Sequence, residues 1–320
     1  MTYSRALLKI LFTAILTLGL ASFGQARVED QITLAAADAP AATSTSGMHG
    51  MPTKAELAAM TPAQREKMLE AIQAEMQNPL SNFYMLQNQI TYFEMGGDRV
   101  SGSPHMWNWN IQPIMPVSLG GDWMLINRPV IPLVGDFHYY DSDDDEVKTK
   151  SGVSDIQYLA LFGKTPKKGK PVIAGGFTLE FPTADPRDMG SEKWSIGPSF
   201  VWVSVGQTHE MTYGFILQQW WSFAGPKGAE DVNKTQIIPV YWYNLPKGWS
   251  IGGQPYWNAN WEQNGDDVWN IPLQFMVSKI LKAGELPMKI QFGWQYSVVR
   301  EDDLGTTQAW QLEIIPIIPH

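Results

Sequence analysis

From Trp269 to Ser278 every second residue is apolar. Trp269, Ile271, Leu273, Phe275 and Val277 alternate with Asn270, Pro272, Gln274, Met276 and Ser278. The next stretch repeats the pattern, with Met288, Ile290, Phe292, Trp294, Tyr296 and Val298 set between Lys289, Gln291, Gly293, Gln295 and Ser297. Earlier, Trp107, Trp109 and Ile111 interleave with Asn108, Asn110 and Gln112, and Trp194, Ile196, Pro198, Phe200 and Trp202 with Ser195, Gly197 and Ser199. A period of two is the signature of a strand with one apolar face. The opposite face here is Gln, Asn, Ser and Gly rather than Lys and Glu. A sheet wetted by bulk water carries charge on its wet face. An uncharged polar face behind an aromatic one fits lipid outside and a confined lumen inside.

Twelve such segments are expected, at about 82–94, 104–117, 122–134, 153–163, 171–182, 193–205, 211–223, 235–244, 248–260, 267–280, 286–299 and 308–319. Each is long enough for a tilted membrane strand. Short turns at Gly120-Gly121, Gln207-Thr208, Leu245-Pro246-Lys247 and Ala283-Gly284 alternate with longer, often acidic loops at 136–151, 183–192, 224–234 and 300–307. The expected fold class is all-β: a transmembrane antiparallel up-and-down β-barrel of about 12 strands with a short helical N-terminal extension. An even strand number brings both barrel ends to the periplasmic side. The rival, a large soluble sandwich or lipocalin-like barrel, would leave many aromatic rings in water.

Composition narrows the functions. Charged residues are 17% of the chain, against roughly 25% in ordinary soluble domains, while hydrophobic ones are 44%. There is no Cys, so no disulfide framework, zinc finger or cysteine nucleophile exists. With 32 acidic and 23 basic residues the chain lacks a basic footprint for nucleic acid.

The first segment reads as an export signal, residues 1–26. Arg5 and Lys9 precede an apolar run from Ile10 to Leu20, and Gly24-Gln25-Ala26 offers a cleavage site. Residues 27–52 read as a flexible linker rich in Ala, Ser, Thr, Gly and Pro. Residues 53–77 read as a periplasmic helical segment broken at Pro62, and Thr61 with Gln64 fits a capping box. Met68, Ile72 and Met76 share one face, with Leu69 beside them. That stripe suits packing on something nearby, a plug role, or a periplasmic partner. Residues 78–320 form the barrel domain.

Charges inside the strands should avoid lipid, where Arg or Lys at mid-depth costs about 2–4 kcal/mol. By parity Asp155 falls with Gln157, Glu180 with Thr178, Lys289 with Gln291, and Glu313 with Gln311, on the more polar faces. The lumen-lining candidates are these together with Asn108, Asn110, Gln112, Arg128, Gln254, Asn270, Gln274 and Gln295. They either set the electrostatics of the lumen or satisfy one another as buried pairs. Arg128 shares its face with Met124, Ile126 and Val130. Rings near strand ends are expected to form interfacial girdles on the lipid face: Trp107, Trp123, Trp194, Trp202, Trp249, Trp269, Trp294 and Trp310, with Tyr84, Tyr92, Trp220, Trp221, Trp242 and Trp261 as further members.

Reactive constellations are sparse. None of the five His has metal-ligand or triad spacing. Gly163-Lys164-Thr165 resembles the end of a phosphate-binding loop but lacks the upstream Gly, position 158 being Tyr. Asp141, Asp143 and Asp145 alternate as in a calcium loop, yet Glu146 and Gly152 stand where Gly and Glu are needed. Met48, His49 and Met51 are soft-metal donors in a flexible stretch. No cofactor, resident metal or enzymatic activity is expected. The enzyme rival is a barrel-embedded hydrolase, with His105 beside Ser103 and His138 beside Asp136 as its candidates.

Several stretches resemble the outer-membrane protein family associated with the MetA pathway of phenol degradation and described as transporters. They are Asn78-Pro79-Leu80-Ser81-Asn82, Asn110-Ile111-Gln112-Pro113, Gly121-Asp122-Trp123, Asn127-Arg128-Pro129-Val130-Ile131-Pro132, Gly197-Pro198-Ser199-Phe200 and Gly253-Gln254-Pro255-Tyr256-Trp257-Asn258. Together they span 78–320. The resemblance implies an outer-membrane barrel and offers no catalytic residues. The chain departs at its terminus, Ile317-Ile318-Pro319-His320, where outer-membrane strands often end in an aromatic residue. The functional expectation is a channel of the bacterial outer membrane for passive passage of small molecules, aromatic or apolar ones among them. Its surroundings would be membrane lipid and lipopolysaccharide. The structural alternative is a closed barrel serving as anchor or scaffold.

Overall fold

The computed structural model describes residues 59–98, 104–141, 146–165, 170–205, 211–283, 286–302 and 304–318. The expected signal peptide and linker lie outside them, as do Met48, His49 and Met51. Helix α1 runs Pro62–Met76. Its start is the expected capping box: Thr61 N–H donates to Gln64 Oε1 at 2.8 Å, and Gln64 N–H to Thr61 Oγ1 at 3.3 Å. From Glu66 onward the chain belongs to one compact unit with the barrel, residues 66–318.

The strands are β1 (Met85–Gly96), β2 (His105–Gly120), β3 (Trp123–Asp141), β4 (Glu146–Val153), β5 (Ile156–Lys164), β6 (Val172–Phe181), β7 (Trp194–Val205), β8 (Met211–Ala224), β9 (Asn233–Leu245), β10 (Trp249–Gly253), β11 (Trp257–Asn260), β12 (Trp269–Ala283), β13 (Leu286–Val299) and β14 (Gly305–Pro316). Every pairing is antiparallel, most of them between sequence neighbours, and β1 closes on β14. β10 and β11 share one place between β9 and β12, and β4 pairs with β3 alone, so 14 segments make a 12-stave barrel.

Alternation decides which way each side chain points. Along β13 the inward Gln291 is 1% exposed while Phe292 is 53% exposed. The outward rings stack across strands: Tyr92 lies opposite Trp310, Trp310 opposite Trp294, and the Phe292 and Trp310 ring centroids are 5.9 Å apart. Such a continuous aromatic exterior suits hydrocarbon rather than water. The β2–β3 turn uses Gly120 at φ 97 and Gly121 at φ 57, a region costly for residues with a Cβ. This turn, Pro246–Gly248 and the start of β1 lie at one end, where Ile318 N–H donates to the Tyr84 carbonyl at 2.8 Å. The longer connections lie at the other end.

Three expectations change. The stretch 136–151 is not a plain loop: β3 and β4 extend into a hairpin that pairs Phe137 with Lys150 and Asp141 with Glu146. The expected strand 248–260 is broken at Gln254-Pro255-Tyr256, because Pro255 has no N–H for the ladder. Side chains cover the gap, as Tyr241 Oη donates to the Gln274 carbonyl at 2.6 Å and Trp257 Nε1 to the Pro272 carbonyl at 3.0 Å. Finally, Trp220 and Trp242 are buried inside, not in a girdle. Their neighbours Trp221, Tyr241 and Tyr243 take the outward positions, and strict alternation leaves only the interior for the other two.

Candidate functional site

A cavity of about 810 Å³ occupies the half of the barrel toward the long connections. Asn108, Asn110 and Gln112 line it from β2, Arg128 from β3, Gln157 from β5, Glu180 from β6, Asn270 from β12, Gln295 from β13 and Gln311 from β14. Glu192, Glu230, Asp231 and Glu262 line its outer part. The connection between β6 and β7 folds into this space, with Met189, Gly190 and Ser191 on the cavity wall. Asp155 holds it there. Its carboxylate accepts from the N–H groups of Thr183 (3.0 Å), Ala184 (3.1 Å) and Ser191 (2.6 Å), and from Ser191 Oγ (2.9 Å). Asp155, between β4 and β5, is thus satisfied by the β6–β7 connection. Glu180 accepts from Gln157 Nε2 at 2.9 Å. Lys193 Nζ bonds Asp231 Oδ1 at 3.0 Å, and that hydrogen bond, with the lysine charge, holds the Asp231 carboxyl below its ordinary range.

At mid-height the lumen is crossed by a belt of glutamines. Arg128 Nε donates to Gln112 Oε1 at 2.9 Å, and Gln112 Nε2 to Gln89 Oε1 at 2.9 Å. Tyr256 Oη, from the break between β10 and β11, donates to the same Gln89 oxygen at 3.2 Å. On the adjacent strand β14, Glu313 accepts from Gln87 Nε2 at 3.2 Å, Gln291 Nε2 at 2.5 Å and Gln311 Nε2. Gln274 Nε2 donates to Gln311 Oε1 at 3.0 Å, and Gln274 Oε1 accepts from Gln254 N–H at 2.9 Å. Glutamine carries both a donor and an acceptor, so neighbouring glutamines can bond one another without adding charge. Lys289 sits just beyond, its Nζ 4.8 Å from the Trp242 ring centroid.

Below the belt the inward face turns apolar. Met124, Ile126, Leu159, Leu161, Val172, Val201, Val203, Ile216 and Ile238 form a buried collar, and fully buried Leu80 packs among them. Leu80 comes from the segment between α1 and β1. Asn78 Oδ1 accepts from Leu80 N–H at 2.9 Å, and Glu75 Oε1 from Asn82 N–H at 2.9 Å, so the segment is internally braced. The helix docks through side-chain amides. Gln73 Nε2 donates to the Trp249 carbonyl at 2.7 Å and Gln77 Nε2 to Asn244 Oδ1 at 2.9 Å. Ile72 and Met76, two members of the expected stripe, are buried.

The remaining candidates are placed as follows. Gln254, Lys289 and Gln291 line a second, smaller cavity below the belt, and Gln274 and Glu313 are buried within the belt. Trp123 and Trp249 stand at the short-turn end, and Trp107, Trp194 and Trp269 near the other. Trp202, Trp294 and Trp310 lie within their strands. Sequence reasoning missed the collar, Leu80, Gln87, Gln89 and Tyr256. Unbroken apolar runs such as Leu159-Ala160-Leu161 and Ile237-Ile238 were the available signal for the collar.

The rival chemistry is not assembled among the described residues. The His105 ring stacks on Tyr92 at 5.5 Å, and His138 Nδ1 is buried without a hydrogen-bond partner. Ser103, Asp143 and Asp145 lie outside the described residues. Lys164 of the Gly163-Lys164-Thr165 stretch lies over the Trp123 ring at 5.1 Å. No group of three or more His, Asp or Glu suited to a metal occurs among the described residues.

No protein-family model matches the sequence, and no curated protein does. Among solved structures, an outer membrane channel from Pseudomonas putida F1 is similar at TM-score 0.50 and 13% identity, covering 73% of this chain and 96% of that one. The NanC porin reaches TM-score 0.47 at 9% identity, covering 73% and 99%. A Pseudomonas aeruginosa FadL homologue reaches 0.37 at 8%, covering 76% and 93%. The likeness to the Pseudomonas putida channel extends over nearly the whole of that protein, and what it shows for this chain is the fold: an outer-membrane-type β-barrel.

Proposed function

We propose that this protein is a passive channel of the bacterial outer membrane for small molecules, closed at its periplasmic end by its own N-terminal segment. The observation that carries the reading is the axial sequence of a wide cavity with mixed polar and apolar walls, a glutamine belt, and an apolar collar stoppered by Leu80. The short-turn end, which holds both barrel termini, is the periplasmic one. A solute enters past the β6–β7 loop, exchanges water for amide partners at the belt, and leaves when the segment 66–81 withdraws. The apolar collar favours solutes with an aromatic or aliphatic body over strongly hydrated ions. The resemblance to transporters and the channel named for Pseudomonas putida support the same reading.

Liposome swelling tests it. Vesicles holding the folded protein should swell in small neutral solutes, and faster when Leu80→Asp unseats the stopper. No swelling with either form, in samples shown to be folded, would remove the channel and favour the anchor or scaffold.

A further inference from the structure

Between the belt and the stopper lies a second cavity of about 110 Å³. Its walls include Ile126, Leu159, Ile216 and Trp242, and its polar members include Lys289 and Gln291. Arg128, Leu159, Ile238 and Tyr256 line both this cavity and the outer one, so they stand between the two. We propose that this inner chamber is a binding site for one small neutral alcohol, a stopping point beyond the belt.

Two polar atoms argue for it. Gln291 Nε2 donates to the Glu313 carboxylate at 2.5 Å, which fixes the amide orientation. Its Oε1 is an acceptor buried with no protein partner, on a residue that lines the chamber. Lys289 is two residues away on the same inward face of β13, and its Nζ lies 4.8 Å from the Trp242 ring centroid. It is a donor, and no hydrogen bond from it occurs among the described residues. A hydroxyl answers both at once, donating to Gln291 and accepting from Lys289. The carbon body would lie against Ile126, Leu159 and Ile216. A dry apolar cavity of about 150 Å³ admits benzene, with six non-hydrogen atoms, so this smaller one suits a molecule of about four to five. Charge selects further. An ammonium would meet the like charges of Lys289 and Arg128, both on the chamber wall.

The site rests on the channel reading only for its route of entry, and binding can be tested without transport. The probe is 3-fluoropropan-1-ol, followed by ¹⁹F NMR with the full chain in detergent and with empty micelles as reference. The expected result is saturable binding to the protein, weakened at least fivefold by Gln291→Leu and abolished by Ile216→Phe, which fills the chamber. 3-Fluoropropylammonium should bind at least tenfold more weakly than the alcohol. Ile173→Leu, on the lipid face, should change nothing and guards against effects of the micelle. Heat-modifiable mobility on gels establishes that each variant is folded, and the near-isosteric Gln291→Leu keeps the test decisive if Ile216→Phe does not fold. Absence of saturable binding, or equal affinity in both inner variants, overturns the chamber. A barrel that conducts without binding the alcohol sinks the inner site alone. One that binds it yet passes nothing sinks the channel and leaves the site.

Discussion

A Cβ added to Gly163 would lie 2.5 Å from Leu80 Cδ1, so the stopper occupies the space that a missing side chain leaves on the barrel wall. The contact joins the start of the barrel domain to β5, and it closes the apolar collar from the short-turn end. Truncating Leu80 to Ala leaves a cavity among Met124, Leu161 and Val203. Such truncations cost about 2–5 kcal/mol when the site cannot collapse. Part of that loss falls on docking, and each 1.4 kcal/mol is tenfold in an equilibrium. Leu80→Ala should raise the open probability of single channels at least tenfold. An unchanged open probability in a folded variant would remove Leu80 as the stopper.

The amide contacts of the helix make a second, polar latch. Gln77 donates to Asn244, which also accepts from Ser250 Oγ at 2.8 Å. Asn244→Leu leaves the buried Gln77 amide without its acceptor, at a cost of about 1–3 kcal/mol. The variant should gate open more often than the wild type while barrel unfolding stays within about 1 kcal/mol of it. Equal gating would mean that the latch holds nothing.

Docking should also respond to pH. Burial holds the Glu75 carboxyl above its ordinary value of 4.5, with hydrogen bonds from Asn82 and Asn78 opposing. A carboxyl whose pKa is higher in the docked state binds more protons there. Its contribution to docking is therefore full below 4.5 and fades as pH rises through the raised value. Acidification from about pH 7 toward that window should lengthen closed times, and Glu75→Gln should abolish the response. A Glu75→Gln channel with the wild-type pH profile would refute the assignment.

At the other end, Asp155 is the anchor of the β6–β7 loop. Asp155→Ala removes four hydrogen bonds and should free the exposed Arg187 for trypsin. Cleavage after Arg187 in reconstituted protein is expected to accelerate at least tenfold. A cleavage rate equal to the wild type would show that the loop is held by other contacts.

The break in the strand wall has its own test. Tyr241→Phe leaves the Gln274 carbonyl without its side-chain donor at membrane depth, where no water replaces it. The variant should lose about 1–3 kcal/mol in urea unfolding from vesicles, with conductance unchanged. Undiminished stability would mean that the gap is sealed without that hydroxyl.

The barrel was legible because its signal is repetitive. A slip of one residue turns every side chain through the wall, so each alternating run fixes both faces at once. The runs beginning at Trp269 and Met288 therefore predicted their strands to within a few residues. The collar was illegible by the same logic, since Leu159 and Leu161 interrupt the alternation on which the reading relied. Trp220 and Trp242 were assigned by residue type when parity with Trp221 and Tyr241 pointed inward. Leu80 lies in a segment without periodicity, and its role depends on a glycine 83 positions away, which no local pattern records. Asp155 shows the same limit. Its parity placed it inward, but only the folded loop reveals that Thr183, Ala184 and Ser191 saturate its oxygens.

The central claim is that the N-terminal segment stoppers a conducting barrel. Single-channel recording in planar bilayers tests it directly, with the folded full chain and with a chain lacking residues 27–80. The full chain should show brief discrete openings from a closed baseline, and the truncated chain larger and sustained steps. Identical conductance from the two forms, or silence from a folded truncated barrel, would contradict the account.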